Sequence, residues 1–238
     1  MNAKTLEKII NFRQEHGIET MKEIMNMKIF YQFSIIQNKK RIGFYKEKLI
    51  SAKNKEEIFI IEALAAKEYW GYFESYFIGK ADWYGRKPHN EDIVNKMLDI
   101  GYHFLLEVIL KIFGEIELPC ELGLLHSAQS RNAKPLVYDY MEWLRPIVVD
   151  RVLLTVLRKK KNKFEKINKK DISVFINKLK EQLNKTYYNK NLGYCIKLES
   201  WIKLNALNLL YGINHNSIPI WNFPSLRHES RCKNKKPR

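Results

Sequence analysis

Apolar residues recur at helical spacing along most of the chain, and this period predicts a mainly α-helical fold. Between residues 3 and 51, Gly17 and Gly43 punctuate the pattern, so we expect two or three short helices there. The next pattern runs from residue 55 to 78 and predicts one long helix. Glu62 lies on the same stripe as the apolar residues of that helix, which are Ile58, Ala65, Ala66, Tyr69 and Phe73.

Helical patterns also fill the middle of the chain, where loops separate them. Residues 79–89 have the composition of a loop, after which Asn90 can cap a helix that runs to about Phe113. A short apolar segment, residues 122–125, then places His126 at the end of an element, next to a polar run.

The pattern after this polar run predicts a helix that carries two acidic residues. Pro135 can open it, and Asp139 and Glu142 lie one turn apart on it. Pro146 then kinks or restarts the helix. Two more amphipathic helices are expected to cover the core, at residues 171–187 and 192–211.

These patterns divide the chain into three parts. Residues 1–54 form a short basic helical segment, and residues 55–212 form the helical domain that carries the candidate catalytic residues. Residues 213–238 form a basic tail, which we expect to be loosely held and able to touch phosphates.

The charge balance favours a polyanionic partner. The sequence has 42 Lys and Arg against 26 Asp and Glu, a formal net charge of +16. Such a field attracts polyanions, and nucleic acid leads the candidates. A ribosome-associated or membrane-surface protein, or simple lysine enrichment from an AT-rich genome, would give the same balance.

The three cysteines, Cys120, Cys195 and Cys232, are widely spaced and lack any CxxC pair. They indicate neither a disulfide framework nor a cysteine zinc site, and a reducing cytoplasm fits best. No uninterrupted apolar stretch approaches the ~20 residues that a membrane helix needs. We therefore expect a soluble, intracellular protein.

One histidine and two carboxylates form a candidate metal site. A carboxylate on an apolar stripe, such as that of Glu62, must be neutralised, paired or bound to a cation. His126 lies beside a polar loop, and Asp139 and Glu142 present two carboxylates on one helix face. Such a set suits Mg²⁺ or Mn²⁺, which activate the attacking oxygen in phosphodiester chemistry.

Each of these side chains also has a purely structural interpretation. Glu62 fits equally a buried ion pair with an arginine such as Arg145 or Arg151. A lone histidine in the place of His126 is more often a hydrogen-bonded structural residue. The two carboxylates one turn apart fit a solvated acidic face.

Four sequence blocks that contain these residues occur in a fixed order between residues 58 and 157. The blocks are Ile61-Glu62-Ala63 with Ala66 and Tyr69-Trp70; Asp92 and Asn95 with Leu98, Gly101 and Tyr102; Leu122-Gly123-Leu124-Leu125-His126; and Asp139-Tyr140-Met141-Glu142 with Arg145-Pro146 and Asp150-Arg151. In these blocks the chain resembles the CRISPR-associated spacer-acquisition integrase, the endonuclease numbered one among the CRISPR-associated proteins.

The resemblance implies a helical catalytic domain that binds Mn²⁺ or Mg²⁺. Glu62, His126 and Glu142 would be the metal ligands. Asp139 would lie beside the metal as a further catalytic residue, and Arg145 would brace Glu142 or meet a phosphate.

The reaction implied by the resemblance is transesterification. The 3′-hydroxyl of a short duplex attacks a phosphodiester at the end of a CRISPR repeat, and hydrolysis would use the same site. The implied partners are DNA, further copies of the chain and the second small CRISPR adaptation protein. The basic residues expected to contact DNA are Arg86, Lys87, Arg131, Lys134, Arg145 and Arg151.

The chain departs from the family pattern at its N-terminus. Family members usually place a β-rich domain ahead of the catalytic part, and here a short helical segment precedes Glu62. Because that β-rich domain normally mediates dimerisation and helps to dock the small partner, the oligomeric state and the dependence on a partner stay open. The alternatives are a naturally small integrase, a fragment of a longer gene product, a relative of the transposon-borne integrases, or a non-catalytic DNA-binding scaffold with the same fold.

Overall fold

The computed structural model describes residues 3–78, 81–126, 134–158, 167–226 and 232. Within these ranges the chain is mainly α-helical, as the apolar periodicity predicts, and it has one two-stranded sheet. None of the described helices is long and apolar enough to span a bilayer. The elements are α1 (Ala3–Ile35), α2 (Lys39–Ser51), α3 (Lys55–Glu74), α4 (Ile93–Glu115), α5 (Pro135–Met141), a π-helical segment (Arg145–Asp150), α6 (Arg151–Arg158), α7 (Lys169–Asn184), β1 (Thr186–Asn189), β2 (Tyr194–Lys197) and α8 (Leu198–His215).

Helix α1 is a single helix of 33 residues, so the expectation of short helices punctuated by Gly17 is wrong. Gly43 likewise lies inside α2. A glycine inside a helix costs only about 1 kcal/mol relative to alanine. The buried face of α1, which packs against α3, α8 and the π-helical segment, outweighs that cost.

The N-terminus of α4 differs by two residues from its prediction. Asp92, and not Asn90, is the N-cap, and its carboxylate accepts a hydrogen bond from the backbone N–H of Asn95. Both residue types cap helices well, so propensity alone could not choose between them.

Helix α4 approaches the π-helical segment closely at Gly101. A Cβ at this position would lie 2.4 Å from Val149 Cγ1 and 3.3 Å from the ring of Phe175. All three residues are buried. The glycine therefore allows the segment that follows Glu142 to pack directly on α4.

Gly101→Ala is expected to lower the free energy of unfolding by about 1–3 kcal/mol, because the added methyl overpacks the core. Denaturant unfolding followed by circular dichroism measures the change. Val149→Ala removes the side-chain atom that the new methyl would meet. The double variant should therefore lose less unfolding free energy than the sum of the losses in the two single variants. Strict additivity of the two substitutions would contradict this packing argument.

The prediction of helices at residues 171–187 and 192–211 is wrong at the end of the first helix and the start of the second. Their facing ends form the antiparallel pair β1 and β2, in which Tyr187 is opposite Ile196. Gly193 adopts a φ of +75° in the connecting turn. Aromatic and β-branched residues in both strands favour this hairpin over continued helix.

The first part of the C-terminal tail is packed onto the helices, contrary to the expectation of a loosely held segment. The Asn205 side chain donates to the Asn222 carbonyl oxygen at 2.6 Å and accepts from the Asn222 N–H at 2.8 Å. Tyr31 Oη donates to the Pro224 carbonyl oxygen at 2.7 Å. The basic residues expected to touch phosphates lie outside the described part of the chain; they are Arg227, Arg231, Lys233, Lys235 and Lys236.

Cys195 and Cys232 form a disulfide bond, so the interpretation of the cysteines as unpaired is corrected. The two residues are 37 positions apart in the sequence. Tertiary structure brings these two distant residues together, and cysteine spacing carries no signal of such a contact.

Candidate active site

His126 and Asp139 form a hydrogen-bonded pair in the candidate site. Asp139, on α5, is fully buried, and its Oδ2 accepts hydrogen bonds from the N–H groups of Leu124 and Leu125 at 2.6 and 2.9 Å. Asp139 Oδ1 lies 2.5 Å from His126 Nδ1. This hydrogen bond raises the pKa of His126, against the lowering effect of burial. When the ring is neutral, Nδ1 carries the proton, and Nε2 keeps the lone pair that a metal would use.

Gly123 explains why the loop before His126 can wrap so tightly around Asp139. A Cβ at Gly123 would lie 2.4 Å from the His126 carbonyl oxygen and 2.8 Å from both Asp139 Oδ2 and Pro135 Cβ. The carbonyl oxygen and the proline ring cannot move aside, and Asp139 Oδ2 is held by two backbone N–H groups, so only glycine fits and the loop holds His126 in one place.

Glu62 and Glu142 meet at a single cation, Lys28. Lys28 Nζ, on α1, donates to Glu62 Oε1 at 2.6 Å and lies 2.6 Å from Glu142 Oε2. The Lys28 and Glu142 side chains are only 9% and 6% exposed. Glu142 Oε2 has no hydrogen bond of ordinary geometry, so its contact with Lys28 is an ion pair without good alignment.

The partner of Glu62 is therefore Lys28, and not Arg145 or Arg151 as the structural interpretation of the sequence proposed. Arg145 pairs with Glu142 instead, with Nη2 3.1 Å from Oε1. Lys28 lies on the buried face of α1, among apolar residues such as Ile24 and Ile29. Like Glu62, Lys28 is a charged residue on the apolar face of a helix. The same sequence pattern that indicated a buried partner for Glu62 therefore also indicated one for Lys28.

The charges at this cluster reinforce one another. Burial alone would raise the pKa of Glu142, but Arg145 and Lys28 outweigh it and lower the pKa to about 2. Burial alone would lower the pKa of Lys28, but the charges of Glu142 and Glu62 raise it. Both groups are thus charged at neutral pH.

A cavity of about 200 Å³ opens beside Glu62, and we call it the Glu62 cavity. Its wall combines cationic, aromatic and acidic groups. Asp150 is one of them, and it accepts hydrogen bonds from Tyr69 Oη at 3.0 Å and Tyr102 Oη at 2.7 Å. Burial raises the pKa of Asp150 to about 6 despite these bonds. The residues that line the cavity are Lys28, Gln32, Glu62, Trp70, Arg86, Pro88, Tyr102, Arg145 and Asp150.

The predicted DNA-contacting residues fall in different places. Arg86 and Arg145 line the Glu62 cavity, and Arg86 donates to Asn95 and Asp99. Lys87 is exposed nearby. The remaining three are spread out: Lys134 is 3.8 Å from Glu121, Arg151 donates to Tyr187 Oη, and Arg131 lies outside the described residues. Their contacts with DNA stay predictions.

The donor types at the site fit a hard divalent cation. Carboxylates and imidazole suit Mg²⁺ and Mn²⁺, and the buried Glu142 Oε2 lacks a well-aligned partner. Two carboxylates already converge on one cationic atom, Lys28 Nζ. Within the described ranges, however, no three His, Cys, Asp or Glu side chains lie close enough together to hold a metal ion. The ammonium of Lys28 occupies the point at which the two carboxylates converge.

Comparison with known proteins identifies sequence relatives. Residues 4–190 match the family model described as CRISPR associated protein Cas1. A CRISPR-associated endonuclease Cas1 from Thermotoga maritima is 25% identical over 177 residues, which are 69% of this chain and 55% of that protein. Another from Francisella tularensis subsp. novicida is 33% identical over 162 residues, 67% of this chain and 49% of that protein. The chain thus spans about half the length of these relatives.

Solved structures share the fold. A casposase bound to integration product superposes with a TM-score of 0.77 at 20% identity, covering 91% of this chain and 71% of that one. A Cas1 protein from Thermotoga maritima gives a TM-score of 0.73 at 23% identity, covering 89% of this chain and 69% of that one. A Cas6-RT-Cas1–Cas2 complex gives a TM-score of 0.73 at 15% identity, covering 90% of this chain and 25% of that one.

Proposed function

Because the chain belongs to the family of CRISPR-associated protein Cas1, we propose that it is a metal-dependent DNA integrase and endonuclease of CRISPR adaptation. The observation that carries the proposal is the convergence of Glu62 and Glu142 on one cationic point beside the Glu62 cavity. This arrangement of the two carboxylates favours a site for a divalent ion over the alternative that they form a solvated acidic face.

Each residue of the site has a proposed role. Glu62, Glu142 and His126 Nε2 would hold Mn²⁺ or Mg²⁺, and Asp139 would fix the His126 ring. The ion, when bound, would polarise the target phosphate and lower the cost of forming the attacking alkoxide. Arg145, at the edge of the Glu62 cavity, would stabilise the negative charge that gathers on the phosphate.

The proposed reaction conserves the number of phosphodiester bonds. The 3′-hydroxyl of a short duplex attacks a phosphorus atom at the edge of a CRISPR repeat. One P–O bond forms to the attacking 3′-oxygen, and the bond from the same phosphorus to the 3′-oxygen of the target strand breaks. The attacking hydroxyl loses a proton and the leaving 3′-oxygen takes one up, so the target strand leaves with a free 3′-hydroxyl and no energy cofactor is needed. With water as the nucleophile, the same site nicks DNA.

The proposed partners are DNA and other proteins. The casposase that shares this fold is bound to an integration product, and another structure that shares it is a complex of Cas1 with Cas2. On this support, we propose that duplex DNA is the substrate and that a Cas2-type protein is a partner. We also propose that the chain acts as a homo-oligomer, which its resemblance to the family implies. The formal charge of +16 favours phosphate contacts, which make binding strongly salt-dependent.

Strand transfer tests the proposed function. A short labelled duplex with 3′-hydroxyl ends is incubated with supercoiled plasmid and Mn²⁺, Mg²⁺ or EDTA. We expect joined product that requires the metal, and we expect His126→Ala to lower its formation by at least about 100-fold, because a ligand is lost.

His103→Ala is the matched control, since His103 is an exposed histidine on α4. It should join DNA like the wild type. Equal joining by His126→Ala would contradict the assigned role. DNA binding without any joining or nicking, with or without added Cas2, would favour the non-catalytic scaffold.

A further inference from the structure

Lys28 occupies the place that the proposed function gives to a divalent ion. Its Nζ lies 2.6 Å from one oxygen of each carboxylate, Glu62 Oε1 and Glu142 Oε2. Metal–oxygen distances of about 2.0–2.1 Å are usual for Mg²⁺. An ion bound between the same two oxygens would overlap the ammonium, so both cannot hold the two carboxylates at once.

Charge balance leads to the same conclusion. The two carboxylates, Glu62 and Glu142, are already matched by the two cations Lys28 and Arg145. A divalent ion added to this balanced group, in which Lys28 and Glu142 are buried, would bring two excess positive charges into contact with an ammonium. Repulsion at such distances is strong where water is excluded, so Lys28 must move away as the ion binds.

A second position for the Lys28 ammonium lies one turn further along α1. Gln32 is on the same face of α1, and both side chains line the Glu62 cavity. Gln32 Oε1 is buried and has no hydrogen-bond partner among the described residues. The carboxylate of Asp150 lines the same cavity. A flexible lysine chain can therefore turn within the cavity and find an acceptor without entering bulk water.

We propose that Lys28 is an internal competitor of the metal, whose ammonium holds Glu62 and Glu142 until the ion takes them and then moves to Gln32 Oε1. This inference rests on the proposed function, because it assumes that these carboxylates bind the ion. It makes Lys28 a positioning residue that lowers the affinity of the site for metal. It also gives the buried, unpartnered Gln32 oxygen a role.

Direct measurement of Mn²⁺ binding tests the competition. The full chain is titrated with Mn²⁺ in the absence of DNA, and the signal of free Mn²⁺ is followed by electron paramagnetic resonance. Lys28→Met keeps the length of the side chain and removes its charge, so it should bind Mn²⁺ at least about tenfold more tightly than the wild type. Lys22→Met, on the same helix but paired with Glu19, is the control and should bind like the wild type.

Gln32→Leu provides an independent test, because it keeps the ammonium and removes its second acceptor. It should bind Mn²⁺ about two- to tenfold more weakly, which corresponds to one lost hydrogen bond. If Lys28 instead stays on the carboxylates when Mn²⁺ binds, Gln32→Leu should leave the affinity for Mn²⁺ unchanged.

The outcomes separate this inference from the proposed function. Unchanged or weaker Mn²⁺ binding by a folded Lys28→Met would overturn the competition. If circular dichroism shows that Lys28→Met does not fold, Gln32→Leu decides, and wild-type affinity in that variant overturns the inference. If neither the wild type nor Lys28→Met binds Mn²⁺, or if binding survives Glu62→Ala, the proposed metal site itself fails, and the inference fails with it.

Discussion

Replacing Glu142 with glutamine is expected to lower the free energy of unfolding by about 3–5 kcal/mol, because it leaves buried cations without their counter-charge. Lys28 Nζ and Arg145 Nη2 both contact this carboxylate, at 2.6 and 3.1 Å. The Glu142 side chain is only 6% exposed, so water cannot replace it. Since the proposed function also makes Glu142 a metal ligand, metal-dependent strand joining should fall by at least about 100-fold.

The stabilising effect of Glu142 should also depend on pH. Burial acts to raise its pKa, and the charges of Arg145 and Lys28 more than offset this, lowering the pKa from 4.5 to about 2. Since the folded value is the lower one, the contribution of Glu142 is present above pH 4.5 and is lost as the pH falls toward 2. Denaturant unfolding in EDTA should therefore show a steeper loss of stability over this range for the wild type than for Glu142→Gln.

Two further variants separate stability from catalysis at Glu142. The double variant Lys28→Met with Glu142→Gln removes opposite charges together, so it should recover part of the lost stability without recovering strand joining. Glu181→Gln, in an exposed pair with Lys178, should match the wild type in both measurements. A Glu142→Gln variant with wild-type stability and the same acid sensitivity would show that the buried charges do not depend on one another.

Amphipathic periodicity was sufficient to place several parts of the site in the fold. It predicted the helix that carries Glu62, because burial on one helical face leaves a repeat of about 3.6 residues in the sequence. It also placed Asp139 and Glu142 one turn apart at α5. The prediction that His126 follows the end of an element is wrong, because residues 121–126 form an irregular loop between α4 and α5. The structure brings His126 to Asp139 and Glu62 to Glu142, while the roles of these residues in metal binding stay predictions.

Contacts between distant segments could not be predicted in this way. Lys28 and Glu62 are 34 residues apart, and only the packing of α1 on α3 brings them together. The sequence does mark Lys28 as a lysine on an apolar stripe, but it does not name the carboxylates that neutralise the charge. The bond between Cys195 and Cys232 depends on tertiary packing in the same way.

Predictions from local sequence were wrong where helix competes with another backbone structure. Residues 186–197 contain enough apolar residues to continue a helical pattern, yet their aromatic and β-branched side chains form the hairpin around Gly193. At Gly17 the opposite holds, because a residue that usually interrupts helices lies inside a helix stabilised by its buried face. Tertiary packing decides both cases, and it leaves no local signal.

Asp139→Asn is expected to lower strand joining by about 10- to 100-fold and the free energy of unfolding by about 2–4 kcal/mol, because it reverses the hydrogen bonding at a buried anion. The wild-type carboxylate faces only donors. They are the N–H groups of Leu124, Leu125 and His126, at 2.6, 2.9 and 3.2 Å, and His126 Nδ1. An asparagine has one oxygen for these groups, so its NH₂ must face either two backbone N–H groups or the histidine.

The loop has no room to relieve this conflict, since Gly123 already packs against both Asp139 and Pro135. The asparagine is therefore expected to release the His126 ring from its fixed orientation. Nitrogen-15 NMR should show a proton on Nδ1 of the neutral wild-type ring and a mixture of tautomers in the variant. Asp171→Asn is the matched control, because the one oxygen of asparagine can still accept the Asn168 N–H of the capping box, and it should cost less than about 1 kcal/mol. If Asp139→Asn left the tautomer and strand joining unchanged, the carboxylate would not position the ring, and the tight wrap at Gly123 would serve stability alone.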